Sequence, residues 1–331
     1  MSGSRGFSAG LCLLAVLSAC AREPGPPPGP PEKVTVAYPP VPLASLFLLA
    51  NEKGYFPAEG LDVVPQRHEF GRLALQSVLD GKADVATPAD TPVMLAVAAG
   101  RAVAVLAEIG TSTRATGIVA RKDRGIAGPM DLGGKRIGLT RGTTAEFFVD
   151  SFLQTRGIGR EEVVLVDLRP AEIVDALVSG GVDAAAVWQE SIEKALTALG
   201  GNGVTFFDET VYSDRFCVAA APSFVKERPE AARRLLRALL RAESFARENR
   251  EESVHLVARS ISRDPSMLDR IWGSFDFRVR LDQALLVSLE DQTRWAVRSG
   301  LARGDSRPNY LEVIRPEILR SVRPDAVGVL H

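Results

Sequence analysis

The residues Thr140-Arg141-Gly142-Thr143-Thr144-Ala145-Glu146 carry the most suggestive chemistry in the chain. A glycine and two hydroxyls ahead of a helical pattern are how backbone N–H groups and a helix dipole cradle an oxyanion. Thr143 and Thr144 would make that contact, with Arg141 adding charge. Thr143 and Glu146 also spell a capping box, a structural device in its own right, and Glu146 disfavours a strongly anionic guest at that spot. In Thr87-Pro88-Ala89-Asp90-Thr91-Pro92, Asp90 or Thr91 is expected to cap the next helix and aim free N–H groups at a guest. Two aromatics complete the set. Tyr38, in Tyr38-Pro39-Pro40-Val41-Pro42, can stack on or hydrogen-bond a ligand, or simply cover the core. Trp188 can close over an apolar or aromatic one, or pack between a lobe and a helix.

Other chemistries find little support. His68, His255 and His331 have neither short ligand spacing nor cysteine partners, so no metal site is expected. Gly6-Phe7-Ser8-Ala9-Gly10 matches the serine-hydrolase elbow, which needs a strand before the serine and a helix after it. It falls instead in a segment expected to be removed. Gly133-Gly134-Lys135-Arg136 is a poor P-loop, with Pro129 at the first glycine position and Arg136 where Ser or Thr belongs. No cofactor is expected. The formal net charge is −1 and no Lys/Arg block suggests nucleic acid.

The elements that must position these residues begin after an export signal. Arg5, the apolar run Leu11 to Leu17 and Leu17-Ser18-Ala19-Cys20 have the layout of a secretory signal, residues 1–19. The run is too short to span about 30 Å of hydrocarbon. Residues 20–32 are proline-rich and form an extended tether without a packed core. Cys12 leaves with the signal, and Cys217, in an apolar strand pattern, is expected in the core.

From Lys33, short apolar runs alternate with helical patterns that stop at Gly54, Gly81 and Gly100. Strands are expected at Val34–Ala37, Leu61–Val64, Ala83–Ala86, Ala102–Ile109 and Thr116–Arg121. The alternation restarts with strands at Arg136–Leu139, Val163–Asp167 and Val182–Val187, and helices from Thr144 and Pro170. From Pro222 the pattern is almost continuous helix. Arg233, Arg237 and Arg241 form a solvated row opposite a leucine face. Such alternation implies α/β architecture with parallel strands and flanking helices.

Four stretches, in order, resemble the solute-binding proteins of ABC importers of the nitrate/sulfonate/taurine and thiamine-precursor type. They are Glu52 to Val63, Leu79-Asp80-Gly81-Lys82-Ala83-Asp84-Val85-Ala86, Asp131 to Gly138, and Gly180 to Trp188. The Leu17–Cys20 stretch likewise resembles a bacterial lipobox, with Cys20 as the acylated residue. The resemblance implies a bilobed periplasmic-binding-protein type II fold, two mixed sheets flanked by helices, with a C-terminal helical region. Residues 33–112 plus 217–331 would form one lobe and 113–214 the other. Chain crossings would fall near Thr111–Gly117 and Tyr212–Cys217, and closure around ligand would be hinge motion.

In such folds ligands meet strand ends and helix N-termini, where Tyr38, Asp90, Thr91, Arg141, Thr143, Thr144 and Trp188 lie. The family often has proline two residues after this tryptophan, whereas here Gln189-Glu190 follow. The implied function is binding of a small molecule outside the cytoplasm, not catalysis. The chain would be a monomer held to a bacterial membrane through a lipid on Cys20, facing periplasm or cell exterior. Its partners would be a separate ABC permease and ATPase. An exported sensor handing its ligand-bound form to a signalling receptor is the alternative. Pathway enzymes share the fold, but the cysteine-rich motif of the pyrimidine-forming thiamine enzymes is absent. Cap-rich loops suit a small oxyanion, while Tyr38 and Trp188 suit a pyrimidine or other aromatic ring; the sequence does not choose.

Overall fold

The computed structural model describes residues 30–329. The signal segment, Cys20 and residues 20–29 of the tether lie outside the described residues.

Alternation of strand and helix builds one sheet from the first part of the chain. β1 (Glu32–Tyr38) leads through α1 (Ser45–Glu52) and α2 (Tyr55–Ala58) to β2 (Leu61–Arg67). α3 (Gly71–Leu79), β3 (Val85–Ala86), α4 (Asp90–Ala98) and β4 (Ala104–Ser112) follow. The chain then starts a second sheet with β5 (Thr116–Arg121), β6 (Arg136–Leu139), α5 (Thr144–Gln154), β7 (Val164–Asp167) and α6 (Pro170–Ser179). β8 (Ala184–Trp188), α7 (Gln189–Leu199) and β9 (Gly203–Phe206) complete it. β10 (Asp214–Ala220) returns to the first sheet, between β3 and β4.

The strand orders, β2-β1-β3-β10-β4 and β7-β6-β8-β5-β9, are two versions of one plan. Three parallel strands joined by helical crossovers are followed by an antiparallel neighbour, β10 in one sheet and β5 in the other. Crossover helices force the parallel pairing, and each sheet is therefore mixed and covered by helices.

Two departures from the sequence reading have local causes. β2 continues past Val64 through Pro65 to Arg67, paired with β1 along its length. It is an edge strand, and an edge tolerates proline because one side of it needs no donor. β9 follows a glycine-rich turn, Gly200–Asn202, and takes the far edge of its sheet, a place that its local pattern does not mark.

The C-terminal region is less continuously helical than its periodicity implies. It contains α8 (Pro222–Glu227), α9 (Pro229–Glu248), α10 (Arg250–Ser260), α11 (Pro265–Trp272), α12 (Gln283–Arg298), α13 (Tyr310–Val313) and α14 (Pro316–Val322). Between α11 and α12 an extended segment lies along β4, where Asp276 bridges Thr111 and Arg280 bridges Glu108. This covers an otherwise open sheet edge. It also brings Arg280 to the buried Glu108 carboxylate at 2.9 Å, opposite Arg215 at 2.7 Å. α9 buries Leu235, Leu236 and Leu239. On its other side Arg237 pairs with Glu59 and Arg233 with Glu230.

α12 reaches the second sheet's own helix. Trp295 Nε1 donates to Asp150 Oδ2 at 2.8 Å, and its ring meets Phe147 edge-on with centroids 5.2 Å apart. Among the described residues no helix is long and apolar enough to cross a membrane.

Candidate functional site

A cavity of about 840 Å³ opens between the two sheets, a volume suited to a small organic ligand. Phe70, Ala89 and Phe216 line it from the first sheet's side, and Thr143, Thr144 and Trp188 from the second. Arg263, Met267 and Phe275 contribute from the C-terminal region. Carboxyl ends of parallel strands and the helix starts that follow them are where α/β folds leave such crevices.

Thr144 is the first residue of α5 and Trp188 the last of β8. Trp188 Nε1 donates to Thr144 Oγ1 at 2.8 Å, which fixes the indole against the helix start. Thr143 is buried beside it, and its hydroxyl donates to the Thr140 carbonyl at 2.6 Å. The expected capping box therefore does not form. Glu146, fully buried, accepts instead from the Gly142 N–H at 2.8 Å and is balanced by Arg160 at 3.2 Å. One N–H of the expected cradle is thus already held by a carboxylate.

Gly142 has φ +66°, and a side chain there would meet the Arg72 guanidinium 3.5 Å away. That left-handed backbone is what glycine supplies here, and Arg72, on α3 of the first sheet, stands in ordinary contact with the turn into α5 of the second.

The other sequence candidates lie outside the cavity lining. Arg141 is half exposed; its backbone N–H donates to Asp167 at 3.0 Å and its guanidinium stands 4.0 Å from Glu146. Tyr38 stacks at a tilt on Phe47, centroids 4.9 Å apart, as a core-covering aromatic. Ala89 occupies the cap position and Asp90 begins α4, its carboxylate accepting the Thr91 N–H at 2.9 Å, with Thr91 buried behind it. The Asp90 carboxyl is wholly buried and accepts from Tyr212, from Ser288 at 2.9 Å and from Gln292 at 2.6 Å. Burial raises its pKa, and those donors oppose the rise.

Sequence reasoning missed four polar groups of the cleft. Asp214 opens β10 at 2% exposure and accepts from Thr116 Oγ1 at 3.0 Å. Burial pushes its carboxyl up to about 7, against the Thr116 and Thr144 hydroxyls. Gln189 and Glu190 start α7. Glu190 Oε2 takes a 2.6 Å ion pair from Arg263, which crosses from the C-terminal region to the second sheet's helix. Burial raises the Glu190 carboxyl, and Arg263 opposes that shift. Gln189 Oε1 and Glu190 Oε1 are shielded from solvent without a hydrogen-bond partner.

Cys217 is fully buried in β10, and burial pushes its thiol well above the ordinary range. Among the described residues no group of three or more His, Cys, Asp or Glu side chains is placed to hold a metal ion.

Comparison with known proteins bears on this geometry. The profile of the "NMT1/THI5 like" family matches residues 43–253, more than half of the chain. A Brucella abortus protein named as a binding protein is 26% identical over 231 residues, 68% of this chain and 70% of that one. A Bacillus subtilis protein named as binding aliphatic sulfonates is 26% identical over 235 residues, 69% of this chain and 70% of that one. Among solved structures, the alkanesulfonate-binding protein of Xanthomonas axonopodis pv. citri bound to MOPS superposes with a TM-score of 0.73 at 19% identity. That likeness covers 87% of this chain and 99% of the other. It shows that the two mixed sheets form the bilobed fold of periplasmic binding proteins.

Proposed function

The chain belongs to the NMT1/THI5-like family, and from that premise we propose that it is the extracytoplasmic solute-binding component of an ABC importer. The reading rests on one observation: a cavity of about 840 Å³ lined from both sheets and from the C-terminal region. A ligand that touches both sides gains contacts when they approach, so binding and closure are coupled.

In this reading residues 33–112 with 217–331 are one lobe and 113–214 the other. The two chain crossings, between β4 and β5 and between β9 and β10, serve as the hinge. Thr143, Thr144 and Trp188 contact the solute directly, joined by Asp214, Gln189 and Glu190. Tyr38, Asp90, Thr91 and Arg141 stand outside the lining and support the elements that carry it. The solute is a small organic molecule or oxyanion, of the sulfonate, taurine, nitrate or thiamine-precursor kind. Cys20 carries a lipid, residues 20–32 tether the body to a bacterial membrane, and the protein works as a monomer with a separate permease and ATPase. It performs no catalysis.

A thermal-shift screen of residues 30–331 tests the reading. The panel holds taurine, alkanesulfonates, nitrate, thiamine, its pyrimidine precursor and riboflavin. A ligand at a hundred times its Kd adds about 2.7 kcal/mol, a readable rise in Tm. A hit that disappears in Trp188→Ala supports the receptor; silence across the panel, or hits indifferent to Trp188, argues against it.

A further inference from the structure

Both chain crossings between the sheets pass one buried carboxyl. The first leaves β4 at Ser112 and enters β5 at Thr116; the second ends at Asp214, where β10 begins. Asp214 belongs to the first sheet, paired with Ser112, yet its carboxyl accepts from the Thr116 hydroxyl of the second at 3.0 Å. One side chain therefore ties the two crossings together, and it also lines the cavity.

The groups around it supply no counter-charge. α4 brings Asp90, a second wholly buried carboxyl, to which Tyr212 of the second crossing donates. α12 meets Asp90 with the neutral Ser288 and Gln292. α5 presents the Thr144 hydroxyl and β5 the Thr116 hydroxyl. Arg215, the next residue, is committed at 2.7 Å to Glu108 of β4, which also holds Arg280. Elsewhere in the cavity lining Glu190 keeps Arg263 at 2.6 Å.

Deepening the receptor reading, and resting on it, we propose that Asp214 is a proton-operated switch of the hinge. Its protonated form ties the crossings and keeps the lobes together; loss of the proton parts them. The step is a single acid ionisation, in which the carboxyl proton passes to water in the cleft. The carboxylate left behind is costly to keep dry without a cation. The neighbouring Asp90 carboxyl opposes a second negative charge as well. Relief lies alongside, because the carboxyl borders the cavity. Parting the lobes lets water reach it and gives up the Thr116 bond. A solute held between the lobes is then retained in acid and let go as the surroundings turn alkaline.

Small-angle scattering on the ligand-free protein, from about pH 5 to 9, tests this. The radius of gyration should rise with pH, with its midpoint at about pH 7. Asp214→Asn still accepts from Thr116 and cannot ionise, so it should hold the smaller radius throughout. Asp90→Asn keeps the switch and removes the neighbouring carboxyl, so the midpoint should move to lower pH. That second variant carries the test should Asp214→Asn misfold by circular dichroism. A radius indifferent to pH, a rise that persists in Asp214→Asn, or a midpoint unmoved in Asp90→Asn overturns the switch. Each of those results leaves the receptor reading to the thermal-shift panel, which needs no change of pH.

Discussion

Trp188 Nε1 and Thr144 Oγ1 lie 2.8 Å apart, a hydrogen bond that joins the carboxyl end of β8 to the first turn of α5. These residues are 44 positions apart in sequence and meet only because β8 and β6 are parallel neighbours. The pair forms the second lobe's wall of the cleft, with the indole available to a ligand on its open face.

Replacing Thr144 with valine keeps the volume and removes the acceptor. The indole N–H, half-buried, then has no partner, so stability should fall by about 1–3 kcal/mol. Urea denaturation measures the loss. Ligand affinity should drop as well, because the indole is no longer held; an unchanged midpoint and unchanged affinity would show that the bond positions nothing.

Asp214 gives a pH dependence with a definite sign. Its carboxyl titrates near 7 when folded and near 3.8 when unfolded, so the native state holds the extra proton between those values. The stability it contributes is fully present below about pH 4 and is lost as pH rises through 7. The slope is at most about 1.4 kcal/mol per pH unit. Denaturation midpoints from pH 4 to 8 should show that decline in the parent and a flatter profile in Asp214→Asn. Parallel profiles would contradict the assignment.

Arg263 and Glu190 form an ion pair across the cleft, with the glutamate largely buried. Arg263→Ala removes the counter-charge, and a lone buried carboxylate is costly. The lobes should part to hydrate Glu190, seen as a larger radius of gyration by small-angle scattering. Adding Glu190→Gln should restore the smaller radius. The same radius in all three proteins would mean that the pair does not hold the lobes.

Arg160 balances two carboxylates of α5, Glu146 and Asp150. Arg160→Met leaves Glu146 with Arg141 as its remaining cation, 4.0 Å away, and Asp150 with the Trp295 indole and Ser299 hydroxyl, at a cost of about 1–3 kcal/mol, reduced because Arg160 is one-third exposed. Chemical denaturation checks this, and a loss under about 0.5 kcal/mol would contradict it.

Much of this was legible in the sequence where the signal is local. Glycine stops and apolar runs marked most strands and helices, and a helix start and a strand end pointed to Thr143, Thr144 and Trp188. Asp90 looked like a cap because its type suits one, yet its surroundings come from Tyr212 and α12, over a hundred residues away. Gln189 and Glu190 showed only as the departure that follows Trp188, and Asp214 and Arg263 showed less, since their roles arise where separate segments meet. Only the charged pair Asp214-Arg215 opening an apolar strand hinted that something polar was being buried. The segment at Asp276 to Arg280 was invisible for the same reason: its partner is the edge of β4, not its own sequence neighbours.

The central claim, that this cleft closes on a small solute, is tested most directly by calorimetry and small-angle scattering on the same sample, with the tightest ligand from the screen. The account predicts one site per chain, a smaller radius of gyration on binding, and loss of both effects in Trp188→Ala. Binding that leaves the radius unchanged, or that survives in Trp188→Ala, would contradict it.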